Sequence, residues 1–167
     1  VCDESIRVAG DEFNLDIVEY MRREHNLLIG ERTAEKIKIN IGSALQELEN
    51  PPEDYAVFGR DLMTGIPKSI HVSYNEIARA LDKSIMKVEE AIMRALEQAP
   101  PELSADIYQH GILLTGGGAL IKGVEEFINA RIKVPVSVVS NPLTCVAEGS
   151  KFLLKNRGDY LVNPMKL

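Results

Sequence analysis

Cysteine and histidine are scarce in this sequence, and the few that occur lie far apart. The two cysteines are Cys2 and Cys145, and the three histidines are His25, His71 and His110. A zinc site needs such side chains at short, defined spacings, so we predict no bound metal of this kind. Two distant cysteines also form no disulfide framework, which indicates a protein of the reducing cytoplasm.

The sequence also lacks a basic excess and a long apolar run. Its 19 Lys and Arg residues are outnumbered by 25 Asp and Glu residues, for a formal net charge of -6. A protein that binds duplex nucleic acid needs a basic face, so we exclude nucleic acid as a partner. A bilayer span needs about 18 consecutive apolar residues, and the sequence contains neither such a run nor a signal-peptide pattern.

The rest of the composition is that of a folded domain. With 45% hydrophobic residues in a length of 167, the chain can bury a core, and it suits one domain or two small interlocked lobes. The chain opens at Val1 without an initiator Met. We therefore expect a piece excised from a longer protein.

The most informative stretch is the glycine turn, residues 116–118, which follows a short apolar segment at 111–114. An amphipathic segment starts directly afterwards at Leu120, so the pattern predicts a strand, a tight turn and a helix. Three successive glycines let a ligand lie directly on the main chain, which favours a ligand site over a plain turn. The turn is neither a dinucleotide-binding fingerprint nor a P-loop, because Ile121 and Val124 stand where those motifs require glycine and lysine.

Apolar periodicity and capping residues predict the other elements. Asp11, Thr33 and Ser73 are the predicted helix caps, and Ser73 forms a capping box with Glu76. Alternating or β-branched runs predict the strands, including a parallel strand-helix-strand unit around the glycine turn. In chain order we predict a strand at 5–8, a helix from Asp11, a helix at 33–48, a hairpin of strands 55–58 and 66–72, a long helix from 73 to the prolines at 100–101, a short helix at 102–107, a strand at 134–139 and a helix at 141–154.

Three features keep two interpretations each. Glu35 and Lys38 share one face of a helix, either as a solvent-side ion pair or as part of a site. Gly10 is either a plain turn or a second glycine-led edge for a nucleotide. Leu62 and Met63 in the hairpin loop are either ordinary packing residues or a contact surface.

Five segments of the chain, taken together, resemble the MreB family of bacterial actin homologues, the rod shape-determining proteins. They are residues 9–13, 28–38, 99–103, 114–120 and 141–147, in order and with matching gaps over nearly the whole chain. The resemblance implies an α/β fold: an actin-like, ribonuclease H-like domain II with an inserted smaller α+β lobe. Residues 1–9 and 83–167 would form the ribonuclease H-like lobe, subdomain IIA. Residues 10–82, with the hairpin, would form the inserted lobe, subdomain IIB.

The resemblance further implies an ATP site of which this chain contributes the adenosine half. The glycine turn would form the floor under the nucleotide, Glu35 would accept hydrogen bonds from the ribose, and the aliphatic stem of a lysine would cover the purine. The implied binding residues are Gly116, Gly117, Gly118, Ala119, Leu120, Glu35, Lys36, Ile37 and Lys38, with Gly10 and Asp11 near the ribose and phosphates. Mg²⁺, the phosphate loops and the catalytic acids would belong mainly to the missing half. We therefore expect no catalytic residue here and negligible ATP hydrolysis by this chain alone.

For the parent protein the resemblance implies a mechanical role. Subunits would associate head to tail, with ATP, into filaments at the inner face of the cytoplasmic membrane. The partners would be the cell-wall elongation machinery and its membrane-anchored adaptors, and the missing half would make the membrane contact. An Hsp70-type chaperone ATPase or a sugar-kinase-like enzyme of the same superfamily is the alternative, and an interaction module without nucleotide is a third hypothesis.

Overall fold

A computed structural model describes residues 2–156 and is a mixed α/β structure, as the sequence predicts. The helices are α1 (Gly10–His25), α2 (Glu31–Ile41), α3 (Tyr74–Gln98), α4 (Pro101–His110), α5 (Val124–Ile132) and α6 (Cys145–Lys155). The strands are β1 (Leu27–Leu28), β2 (Tyr55–Asp61), β3 (Pro67–Val72), β4 (Ile112–Leu114) and β5 (Val136–Val138). A 3₁₀ turn covers Gly117–Leu120.

The strands form two sheets of opposite type. β1, β2 and β3 make an antiparallel sheet in that order, with Tyr55 opposite Val72 and Leu27 opposite Asp61. β4 and β5 pair in parallel, with Ile112 opposite Val136, and α5 connects them. Both the predicted hairpin and the predicted strand-helix-strand unit are confirmed.

The core lies where α1, α2 and α3 pack together. Their inward faces carry apolar residues at helical spacing, and Ile17, Met21, Ile37 and Leu81 are fully buried there. The same continuous cluster reaches Ile128 in α5 and residues of the parallel β4–β5 sheet. The core therefore holds the first three helices and the strand-helix-strand unit together. Within residues 2–156, every helix is too short or too polar to span a bilayer.

The capping box at the start of α3 is confirmed. The Ser73 hydroxyl accepts a hydrogen bond from the Glu76 amide at 3.4 Å, and the Glu76 carboxylate accepts one from the Ser73 amide at 3.0 Å. His25, at the end of α1, contacts the same carboxylate at 2.8 Å. Burial acts to raise the pKa of Glu76, but the hydrogen bonds from Ser73 and His25 outweigh it and leave that pKa below its usual value. The cap thus ties α3 to α1.

The predicted strand at residues 5–8 is wrong, and the first two helix starts are shifted. Residues 5–8 have no strand partner in the described part of the chain, and a single extended segment cannot make ladder hydrogen bonds. The caps of α1 and α2 are Ala9 and Gly30, which use backbone groups alone. Asp11 and Thr33 lie inside the first turns instead.

The second predicted helix is too long by seven residues, since α2 ends at Ile41 rather than at residue 48. Beyond it, Ser43 pairs with Lys122 in an isolated parallel bridge. The Ala44 amide donates to the Lys122 carbonyl at 2.8 Å, and the Lys122 amide donates to the Gly42 carbonyl at 3.2 Å. These tertiary hydrogen bonds take the backbone groups that another helical turn would need.

The helix after the glycine turn also begins later than predicted. The 3₁₀ turn ends at Leu120, and α5 starts only at Val124 because Gly123 stands between them at φ +73°. A Cβ atom at Gly123 would lie 2.9 Å from the Leu45 side chain, so both the dihedral and the packing favour glycine. The division into lobes 1–9 with 83–167 and 10–82 stays a prediction, and its Val1 and residues 157–167 lie outside the described residues.

Asp61 anchors the turn of the hairpin. Its Oδ1 accepts hydrogen bonds from the amides of Met63 and Thr64 at 2.8 and 2.9 Å, and Lys68 Nζ lies 3.2 Å from its Oδ2. The Thr64 amide, Lys68 and the Met63 amide together lower the pKa of Asp61 to about 2.

We predict that Ser73→Ala lowers the free energy of unfolding by about 1 kcal/mol, because it leaves the first turn of α3 without its acceptor. Urea unfolding followed by circular dichroism measures this. Ser150→Ala is the matched control, since the Ser150 hydroxyl only donates back to the Val146 carbonyl inside α6. Equal losses in the two variants would contradict the assigned role of the cap.

We also predict that the Asp61 carboxyl titrates near pH 2 in an NMR pH titration. Its pKa is lower in the folded chain than the ordinary value of 3.8, so its contribution to stability is complete above that value and is lost as the pH falls towards 2. Lys68→Met should raise the midpoint only part of the way, because the two amide donors remain. A wild-type midpoint near the ordinary value would contradict the turn geometry.

Candidate functional site

A cleft of about 900 Å³ opens between the start of α1, the exposed face of α2 and the glycine turn. Most of the residues predicted for the site line it, although they come from three separate parts of the sequence. Those that line it are Gly10, Asp11, Glu35, Lys38, Gly116, Gly117, Gly118, Ala119 and Leu120. The fold therefore brings the α2 pair and the glycine turn to one cavity.

The glycine turn presents backbone to the cleft. Gly116 has φ +82°, in the left-handed region that side chains rarely adopt, and its amide donates to the Pro142 carbonyl at 2.7 Å. A Cβ atom at Gly116 would meet no atom within 4 Å, and one at Gly117 would meet only the Leu143 side chain at 3.5 Å. Because these positions carry no side chain, a ligand can approach the main chain there.

The opposite wall carries a charged pair on α2. Lys38 Nζ donates to Glu35 Oε2 at 2.8 Å and to the Gly10 carbonyl at 3.1 Å. Asn14 Nδ2 donates to the same Oε2 at 2.7 Å. The hydrogen bonds from Lys38 and then from Asn14 lower the pKa of Glu35, so the group is a carboxylate at neutral pH. It is a hydrogen-bond acceptor beside the cavity.

Gly10 and Asp11 lie at the start of α1, between the two walls. Through its carbonyl, Gly10 joins α1 to Lys38 on α2. A Cβ atom at Gly10 would lie 3.2 Å from Lys38 Nζ, so the lack of a side chain leaves room for that lysine. Asp11 is exposed in the first turn and lines the cleft.

Two of the predicted residues do not line the cleft. Ile37 is fully buried in the core, and Lys36 is exposed away from the lining. The helical period explains the difference, because positions 35 and 38 share one face while the two residues between them lie on others. Of the two lysines predicted for the site, only Lys38 lines the cleft.

Sequence reasoning missed several apolar residues of the cleft. Ile39, Leu120 and Leu143 line it with large exposed surfaces of 67%, 55% and 70%, and of these only Leu120 was predicted. Ile39 follows Glu35 by four residues, a spacing that places both on one side of α2 and could have identified it. Leu143 carried no comparable signal, because its position depends on how the segment before α6 folds over the turn.

The arrangement suits a ligand with one apolar, planar part and one hydroxylated part. Exposed apolar side chains can cover the faces of a ring, the Glu35 carboxylate can accept hydrogen bonds from hydroxyl groups, and the glycine backbone allows close approach. In residues 2–156, no group of three or more His, Cys, Asp or Glu side chains is arranged to hold a metal ion.

Comparison with known proteins identifies relatives across the chain. The sequence model of the family described as MreB/Mbl protein matches residues 1–161. The cell shape-determining protein Mbl of Bacillus subtilis (strain 168) is 43% identical over 156 residues, which cover 93% of this chain and 46% of that protein. The chain thus spans about half the length of this curated relative.

Solved structures agree with that relationship. The crystal structure of MreB5 of Spiroplasma citri bound to ADP superposes with a TM-score of 0.86 at 38% identity, covering 90% of this chain and 45% of that one. The MamK double helical filament matches with a TM-score of 0.72 at 20% identity over 90% of this chain and 45% of that one, which is evidence for the fold alone.

These matches confirm the predicted actin-like fold and the resemblance stated from the sequence. They do not favour the alternative of a chaperone ATPase or a sugar-kinase-like enzyme, because the family model covers almost the entire chain. The chain, with its glycine turn and the helix that carries Glu35, therefore belongs to the MreB/Mbl family of cell shape-determining, actin-like proteins.

Proposed function

We propose that this chain supplies the adenosine side of an ATP-binding cleft in a cytoskeletal protein that governs rod cell shape. The observation that carries the proposal is the meeting of the Glu35–Lys38 pair and the glycine turn across one cavity. The structure of MreB5, a relative with a similar fold, is of a protein bound to ADP, which supports a nucleotide as the ligand.

In this proposal each wall has its own task. Glu35 accepts hydrogen bonds from the ribose hydroxyls, and the Lys38 stem with Ile39 covers one face of the purine. The glycine turn, continued by Ala119 and Leu120, lies under the nucleotide. Gly10 and Asp11 lie towards the ribose and phosphates, while Mg²⁺ is held mainly by residues outside this chain.

We further propose that the parent protein self-associates into filaments at the inner face of the cytoplasmic membrane and organises cell-wall synthesis. Its partners there are the elongation machinery and membrane-anchored adaptors. MamK, a protein of the same fold, forms a double helical filament, so the fold is compatible with self-association. The hairpin loop of this chain exposes Leu62 and Met63, which makes it a candidate for one longitudinal contact.

We predict that Glu35→Gln weakens ATP binding by about tenfold, because a neutral amide is a poorer acceptor for two hydroxyl groups than a carboxylate. An NMR titration of the chain with millimolar ATP measures the dissociation constant. Glu31→Gln is the matched control, since Glu31 lies on the same helix but does not line the cleft. Unperturbed signals from the glycine turn at millimolar ATP would refute the nucleotide assignment.

Hydrolysis gives a separate expectation. Phosphoryl transfer depends on positioning and charge stabilisation by phosphate loops, Mg²⁺ and an activated water, which we assign to parts outside this chain. We therefore expect no phosphate release above the buffer background when the purified chain is incubated with ATP and Mg²⁺. Sustained turnover by the chain alone would show that this assignment is wrong.

A further inference from the structure

Asn14 is a buried residue whose side-chain amide contacts Glu35 from the core side of the candidate site. It lies on α1, one turn after Gly10, with only 8% of its surface exposed, and it does not line the cleft. Its Nδ2 donates to Glu35 Oε2 at 2.7 Å, across the contact between α1 and α2. The bond therefore joins a core position to the one carboxylate on the α2 wall.

The hydrogen bonds to Glu35 are all on one oxygen. In the described part of the chain, Asn14 and Lys38 both donate to Oε2, at 2.7 and 2.8 Å. Two donors at one oxygen fix the orientation of the carboxylate plane and leave Oε1 available to a ligand hydroxyl. The Glu35 side chain is 45% exposed, so a ligand can reach it.

The two donors do not restrain Glu35 equally. Lys38 is on the same helix as Glu35 and reaches it through a long stem, and its side chain is only 12% exposed because Nζ also donates to the Gly10 carbonyl at 3.1 Å. Asn14 is short, is packed in the core and belongs to a different helix. Asn14 therefore restrains the carboxylate relative to α1 directly, whereas Lys38 does so only through its long stem and the Gly10 carbonyl.

The side-chain oxygen of Asn14 is evidence against a purely structural role for this residue. Its Oδ1 is buried and has no hydrogen-bond partner in the described residues. Rotating the amide would place Oδ1 against the Glu35 carboxylate, so the repulsion between two acceptors holds the observed orientation. A buried acceptor without a partner is unfavourable for stability, which makes an apolar residue the better choice for packing alone.

We propose that Asn14 is a positioning residue that turns the free oxygen of Glu35 towards the ribose, and that it thereby sets a preference for ribonucleotides over deoxyribonucleotides. The inference rests on the proposed function of the cleft. Asn14 touches no ligand itself, and it acts only through the orientation of Glu35.

The test compares ATP with 2′-deoxy-ATP on the wild-type chain and on Asn14→Leu, which keeps the side-chain size but removes the donor. We expect Asn14→Leu to raise the dissociation constant for ATP by about five- to tenfold, roughly the net value of one ordinary hydrogen bond, and that for 2′-deoxy-ATP by less than about twofold. NMR titration with each nucleotide gives both constants. The Glu35 carboxyl should also titrate at a higher pH in the variant, because one of its two donors is gone.

Asn40→Leu is the matched control, because it makes the same change on α2 at an exposed amide that donates to the Lys36 carbonyl at 2.7 Å and not to Glu35. Its ratio of the two dissociation constants should equal that of the wild type. If Asn14→Leu does not fold, Asn14→Ala removes the donor without adding bulk, and the same ratio is measured.

The outcomes separate this proposal from the proposed function. A wild-type chain that prefers ATP, together with an Asn14 variant that keeps the full preference, overturns the role of Asn14 and leaves the nucleotide site standing. A wild-type chain that binds both nucleotides equally overturns the ribose contact of Glu35, and the role of Asn14 with it. Equal weakening towards both nucleotides means that Asn14 supports the fold only, which also overturns the proposal.

Discussion

A short parallel bridge between Ser43 and Lys122 joins the two walls of the cleft. The bridge lies directly after α2, which carries Glu35, and directly after the 3₁₀ turn that continues the glycine turn. Ser43 is fully buried, and its hydroxyl donates to the Leu45 carbonyl at 2.7 Å, so the polar groups at this junction are paired inside the protein. Because α2 and the 3₁₀ turn both end next to this bridge, the distance between the two walls of the cleft depends on the bridge and on the packing of the core beneath it.

Hydrogen bonds between polar groups also fix the positions of the helices at the cleft. Lys38 connects α2 to the Gly10 carbonyl at the start of α1, and Asn14 connects α1 back to Glu35. These contacts are partly buried, so they are stronger than the exposed ion pairs on other helices. Two helices thus hold one carboxylate in a defined place, as electrostatic recognition of a small polar ligand requires.

Local signals predicted the elements whose causes are local. The Ser73 capping box, the hairpin and the parallel pair around α5 follow from side chains within a few residues of each element, and all three are confirmed. Two of the errors have tertiary causes. Residues 5–8 lack a strand partner in the described chain, and α2 stops at Ile41 because Lys122, about eighty residues later, takes the backbone groups that follow.

For the candidate site, the sequence by itself indicated the glycine turn as a ligand site, and it placed an acid and a base one helical turn apart on α2 as either an ion pair or part of that site. It did so because backbone exposure and helical spacing are properties of short segments. Only the tertiary structure decided that these segments face one cavity, that Ile37 points into the core, and that Asn14 and Leu143 join the site from elsewhere. Those outcomes depend on how helices that are distant in sequence pack around the core, and that packing cannot be inferred from a short stretch of sequence.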